Sequence, residues 1–269
     1  GASVPLSANE TAMAKADPNY MSIYQQIGQY WGEQPGTSGP VYVGAFVMML
    51  FILGLFIVKG PVKWALLAAT ILSIMLSWGK NFMGLTDFFI DYMPMYAKFR
   101  TVASILVIAE FTIPLLAMLA LREILRSVEC GVRSENTSAA DKSHSTLLTP
   151  HSSKKYLLIS FALTGGICLL MALFPTMFFD SFISTNEMNA LKSLPAEHVG
   201  PLMANLTEMR QAMFTSDCLR SFWVILMGTA ILLFFNYGKL KQVYAVAGIL
   251  VLCLFDLWIV NKRYLNDEM

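Results

Sequence analysis

An all-α bundle of about six membrane-spanning helices is the fold this sequence predicts, and three observations predict it. The first is composition: of 269 residues 56% are hydrophobic and only 14% charged, with a mean hydropathy of +0.56. A soluble domain carries about 25% charged and about 45–50% apolar residues. The second is six apolar runs near the length that crosses a hydrocarbon layer. The third is a crowding of Lys and Arg in alternate links between those runs. Nineteen basic and eighteen acidic side chains leave a net charge of +1. That balance excludes a strongly basic nucleic-acid binder, and the hydrophobicity excludes disorder.

The runs come in order. Val41–Val58 holds no charge and ends at Lys59-Gly60-Pro61. Trp64–Trp78 is bounded by tryptophans, as at a membrane interface. Thr101–Leu121 is interrupted by Glu110 and Pro114, and Tyr156–Phe179 by Gly165-Gly166 and Pro175. Ser221–Tyr237 and Val243–Val260 close the series. A helix of about 20 apolar residues spans a 30 Å layer. Six such runs in one chain argue against six separate soluble core helices.

Orientation follows from charge. The links 59–63, 122–155 and 238–241 hold Lys59, Lys63, Arg122, Arg126, Arg133, Lys142, Lys154, Lys155, Lys239 and Lys241, ten of the nineteen basic residues. Positive-inside bias places these links in the cytoplasm, with both chain ends outside. The domain reading is then an outer segment over 1–40 and a six-span bundle over 41–260. Within the bundle, 127–153 reads as a flexible cytoplasmic loop and 180–220 as an outer helical segment. Residues 261–269 begin a further outer segment, and the chain is expected to be a piece of a longer protein.

Two outer stretches are expected to be helices lying at the interface. Met83–Tyr96 has Thr86 as an N-cap and Pro94 as a stop. Pro201–Met213 carries Leu202, Leu206, Met209 and Met213 on one face. The four cysteines and three histidines form no C-x-x-C or H-E-x-x-H pattern, so neither a disulfide framework nor a metal site is indicated. Asn-x-Ser/Thr triplets at Asn9, Asn136 and Asn205 are assigned nothing.

The candidate chemistry lies between Lys80 and Glu110. Lys80, Lys98 and Arg100 fall near the outer interface, and the last two immediately precede the third run. Cations beside a helix N-terminus suit a phosphate; the competing reading is that they snorkel to headgroups. Asp87 and Asp91, four apart, share one helix face. They are either a carboxylate pair able to hold a divalent cation or the wet side of an amphipathic helix. Glu110 lies inside a run, where a carboxylate faces a partner or a polar cavity. Its roles there are a cavity wall or a plain interhelical bond. Asp256, near the outer end of the sixth run, invites the same reading.

Several stretches carry a resemblance: Tyr30-Trp31-Gly32-Glu33-Gln34-Pro35 with Thr37-Ser38-Gly39-Pro40-Val41-Tyr42; Leu76-Ser77-Trp78-Gly79-Lys80-Asn81; Met95-Tyr96-Ala97-Lys98-Phe99-Arg100; and Asp256-Leu257 with Lys262-Arg263-Tyr264-Leu265-Asn266. Together they resemble the bacterial YfhO-like membrane proteins, in particular their Bacteroidetes branch. That family is similar in architecture to the GT-C class of integral membrane glycosyltransferases. The resemblance implies transfer of a sugar from a polyprenyl-phosphate donor to an envelope polymer or other exocytoplasmic acceptor, at the bacterial inner membrane. The catalytic acid of that class usually sits in a first outer loop that is expected to lie outside this piece, so the catalytic residue here is unknown. Lys80, Lys98 and Arg100 would bind the donor's lipid phosphate, with Glu110, Asp87, Asp91 and Asp256 lining a polar cavity. The other readings are a transporter or flippase-like protein, for which Glu110 and Asp256 would line the pathway, and a non-enzymatic envelope assembly factor.

Overall fold

The computed structural model describes residues 4–32, 41–93, 102–135, 150–179, 181–192 and 195–262. Every regular element among them is helical, apart from one isolated bridge between Pro5 and Gly28. The chain divides into two compact units: one of Gly1–Pro40, Gly166–Trp223 and Ile259–Met269, the other of Val41–Gly165 and Val224–Trp258.

The first unit begins with two single-turn helices, α1 (Glu10–Met13) and α2 (Met21–Tyr24). Short polar side chains start the turns: Asn9 accepts from the Ala12 N–H at 3.0 Å, and Asp17 accepts from the Asn19 N–H at 2.9 Å. The segment closes on itself, since the Leu6 N–H donates to the Ile27 carbonyl and the Gln29 N–H to the Val4 carbonyl. Leu6, Ala12 and Tyr24 are thereby buried against Leu191, Leu202, Leu206 and Met209. The apolar stripe read at 202–213 is thus real, but the folded segment 4–32 covers it. An interfacial helix would have kept that face for lipid.

The second unit is built around α3 (Ala45–Ile57), a helix apolar on every side. Such a helix must be surrounded, and Phe46, Met49, Leu50, Phe51, Leu53 and Ile57 are all buried. Its limits fall inside the Val41–Val58 run. Gly44 takes a φ of +95° just before it, and Val58 is extended just after it. Gly60, also at +95°, turns the chain into α4 (Val62–Ser77). Lys63 reaches back to donate to the Leu55 carbonyl at 2.8 Å, satisfying one of the free acceptors at the C-terminus of α3.

After α5 (Met83–Tyr92), a 3-10 turn over Val102–Ile105 leads into α6 (Leu106–Glu135). Helix α6 packs closely against α3: a Cβ on Gly54 would lie 2.8 Å from Leu116 Cγ and 3.0 Å from its carbonyl oxygen. It meets α4 through a buried hydroxyl pair, Thr70 and Thr112, at 2.7 Å. Then come α7 (Pro150–Leu173) and the single turn α8 (Pro175–Phe178). Pro175 sits at the first position of α8, so it ends one helix and begins another. Helix α7 stacks Tyr156 on Phe56 of α3, with ring centroids 5.8 Å apart.

The remaining helices are α9 (Thr185–Leu191), α10 (Ala196–Asn236) and α11 (Gln242–Lys262). Among the described residues, three helices are long and apolar enough to cross a membrane: Ser153–Leu173, Glu197–Asn236 and Gln242–Lys262. The apolar α3 and α4 are shorter, and α6 carries Glu110, Arg122 and Glu123 within its first eighteen residues. Large apolar side chains stay exposed along these helices, among them Trp64, Phe111, Leu158, Trp223, Val251 and Trp258. An exposed apolar surface of this extent fits association with a membrane.

Two segment readings change. The link 127–153 is expected as a loop, yet α6 runs on to Glu135 and α7 starts at Pro150; residues 136–149 lie outside the described residues. The outer segment 180–220 and the fifth run are expected to be separate, yet α10 is one helix from Ala196 to Asn236. No proline follows Pro201 within it, and its one later glycine, Gly228, lies inside the fifth apolar run and not at the junction, so nothing in the sequence breaks the hydrogen-bond ladder there.

Candidate functional site

The segment singled out in the sequence begins where α4 ends. Gly79 takes a φ of +49°, and a 3-10 turn over Gly79–Phe82 redirects the chain into α5. Thr86 is not the N-cap expected of it. It lies in the body of α5, and its hydroxyl donates to the Gly79 carbonyl at 3.0 Å, tying the helix back to the turn that precedes it. The start of α6 is fixed to the same end of the unit, because the Ser73 hydroxyl of α4 donates to the Ile105 carbonyl at 2.6 Å.

Asp87 and Asp91 both stand exposed on α5, beside the exposed Phe88, Ile90 and Tyr92. Neither has an ion-pair partner among the described residues. No group of three or more His, Cys, Asp or Glu side chains able to hold a metal occurs among the described residues. Lys98 and Arg100 lie outside the described residues, and so does the side chain of Lys80. The turn that carries Lys80 is nevertheless at this end of α4.

Glu110 lies in the second turn of α6, half-buried at the border of two faces. Ala109, Ile113 and Leu116 are buried on one side; Val107, Phe111 and Met118 are exposed on the other. No ion pair or hydrogen bond of its side chain is found among the described residues.

Asp256 is more firmly placed. It is 1% exposed on α11, and its Oδ2 accepts from the Ala45 N–H at 3.0 Å and from the Tyr42 hydroxyl at 2.8 Å. Ala45 is the first residue of α3, so a carboxylate from α11 caps that helix. Gly44, at the positive φ that precedes α3, lies beside this contact, where a Cβ would meet Oδ2 at an ordinary 3.6 Å. The other oxygen, Oδ1, is buried with no hydrogen-bond partner among the described residues. Asp256 is thus a tie between two helices, and it does not line the surface shared by Asp87 and Asp91.

The sequence reading missed a second polar centre, in the first unit. Arg210 of α10 is completely buried. Its guanidinium donates to both carboxylate oxygens of Glu187, at 2.6 and 2.9 Å, and to the carbonyls of Phe182 and Gly28, at 2.7 and 2.9 Å. Glu187 also closes a capping box with Ser184 at the start of α9. Burial raises the Glu187 carboxyl, but the Arg210 hydrogen bonds and charge outweigh it, and the acid is held below its usual range. Nearby, Asn205 gathers three bonds: it accepts from the Tyr24 hydroxyl at 2.6 Å and the Asp17 N–H at 3.1 Å, and donates to the Lys15 carbonyl at 2.9 Å. Burial and the Asp17 carboxylate push the Tyr24 phenol up to about 12, so it stays a neutral donor. The Asn-x-Thr triplet at 205 is therefore occupied by structure, and that at Asn9 by a helix cap. Ser184-x-x-Glu187 was a legible capping-box signal; Arg210 was not, because its partners come from two stretches distant from it in sequence, around Gly28 and over Phe182–Glu187.

Comparison of the chain with protein-family models, with curated proteins and with solved structures found no match.

Proposed function

We propose that this chain is part of a bacterial inner-membrane protein of glycosyltransferase type, taking a sugar from a polyprenyl-phosphate donor and passing it to an envelope polymer or other exocytoplasmic acceptor. The observation that supports this reading is the grouping at one end of the second unit, where α4, α5 and the start of α6 meet. There, two exposed carboxylates stand on a short amphipathic helix, and in the sequence Lys98 and Arg100 lie between that helix and α6. The chemistry needs positive charge opposite a departing phosphate and an apolar surface for a prenyl chain. Basic residues beside a helix start, in a chain of exposed apolar helices, offer both. The resemblance to the YfhO-like proteins adds the sugar-transfer chemistry, with the catalytic acid outside this chain and both of its ends on the outer side.

The transporter reading loses one of its two pathway residues, since Asp256 is spent on capping α3. The test is donor-lipid binding and sugar transfer by the full-length protein carrying Arg100→Lys or Arg100→Ala. A forked phosphate contact fails even in the lysine variant. Loss of one charge-assisted bond costs about 1.5–3 kcal/mol, roughly ten- to a hundredfold in donor affinity. Parental binding and transfer in both variants would place the donor elsewhere.

A further inference from the structure

The end of the second unit opposite the start of α6 has its own built surface. From Leu106 to Arg126, α6 rises about 30 Å at 1.5 Å per residue, the thickness of a hydrocarbon layer. At its far end, a groove of about 500 Å³ opens between α6 and the first turns of α11. Its floor is apolar, formed by Met118, Leu121, Leu125 and Val246, and Arg122 and Arg126 line it as well. The two arginines are four residues apart, so both project from one face of α6, and both are exposed. Neither has an ion-pair partner among the described residues, and the acidic neighbour Glu123 is absent from the lining.

The other wall adds to the same potential. Gln242, the first residue of α11, lines the groove, and the first intrahelical bond of that helix runs from Ala245 to Lys241. The N–H groups before it have no partner inside the helix and favour an anion. Lys239 and Lys241, both exposed, lie in the turn just before. Contacts gather the other basic links at this end: Phe56 of α3 stacks on Tyr156, and Lys154 lies over the Tyr237 ring at 4.0 Å.

We propose that this groove binds one anionic phospholipid, its phosphate held by Arg122, Arg126 and the start of α11, and its acyl chain laid on the apolar floor. Charge complementarity selects the occupant: two forked cations without an acidic partner, above apolar side chains, match an anionic headgroup joined to a tail. A soluble phosphate would leave the floor bare, and a zwitterionic lipid would bring a second cation into a basic site. The site is independent of the sugar-transfer reading, because it lies at the other end of α6.

Native mass spectrometry of the purified full chain tests it, with phosphatidylglycerol, phosphatidylcholine and inorganic phosphate as probes. The parent is expected to retain one phosphatidylglycerol in preference to phosphatidylcholine, and excess inorganic phosphate is expected not to displace it. Arg122→Gln with Arg126→Gln, which removes both charges while keeping polar side chains, should weaken retention about tenfold or more. Lys155→Ala, at a neighbouring basic groove lined by Lys154, Lys155 and Tyr237, should leave it unchanged. Equal retention of both lipids, displacement by inorganic phosphate, or an equal loss in the Lys155 variant would each overturn the proposal. So would parental retention in the double variant. The thermal midpoint of each variant, expected to match the parent because these side chains are exposed, separates loss of the site from loss of the fold.

Discussion

Arg210 is the residue on which the first unit is most dependent. A buried guanidinium costs several kcal/mol of desolvation, offset here by a forked pairing with Glu187 and two backbone carbonyls. Removing Arg210 leaves the partly buried Glu187 carboxylate, and two carbonyls, without their partner. Arg210→Met is therefore expected to destabilise the unit by about 3–5 kcal/mol, read as earlier proteolysis within residues 4–32 and a lower thermal midpoint. An unchanged midpoint and cleavage pattern would show that the pairing contributes nothing. The pH dependence has a definite sign. Glu187 is held below its ordinary value of 4.5, so the unfolded chain takes up the proton first. The stabilisation is complete above about 4.5 and is lost as pH falls through the lower folded value. In Glu187→Gln that acid-side loss should be absent. None of this was evident from composition, since Gly28 and Phe182 join the site only through the fold. Asp256 shows the same limit: its place in an apolar run marked it as unusual, but only the fold showed that it caps α3.

At the scale of helices, the crossing of α3 on α6 sets how closely the second unit packs. Gly54 lets the two backbones approach, as small residues do where helices meet in membranes. Gly54→Ala forces Leu116 away at both side chain and carbonyl, and overpacking of this kind costs about 1–3 kcal/mol. Gly166→Ala makes the useful contrast, because a Cβ there meets nothing within 4 Å and removing a mid-helix glycine is neutral or stabilising. Thermal unfolding in detergent should separate the two variants; equal midpoints would mean that α3 and α6 do not pack this tightly. Apolar runs made helices of this kind legible from sequence, because composition and length suffice for them. Their ends were less so. Gly44 and Gly60 trimmed α3 through backbone conformation, while α10 ran through a polar stretch because nothing interrupted its ladder. The short helices of 4–32 escaped notice for a different reason: single turns held by Asn9 and Asp17 caps have too little length for a hydrophobic period.

Across the whole molecule apolar helices dominate, and the described basic side chains of the second unit gather at one end of it. Lys63 binds the end of α3, Arg122 and Arg126 line one groove, and Lys154 and Lys155 line another. The sequence reading had already joined these residues by assigning their links to one side, and the fold brings together helix ends far apart in the chain. The proposed orientation rests on positive-inside bias: it would put this end in the cytoplasm and Lys192, exposed just after α9, outside. Single cysteines at 142 and 192, placed in a background lacking the four native cysteines, test that assignment in intact cells. An impermeant thiol reagent should label position 192 and reach position 142 only after the membrane is opened. Labelling of 142 alone in intact cells would invert the orientation. It would also move Lys98 and Arg100 to the cytoplasmic face, where an exocytoplasmic sugar transfer has no use for them. Labelling of both positions would mean that the links do not alternate across a membrane, and the basic end would then need an explanation other than its leaflet.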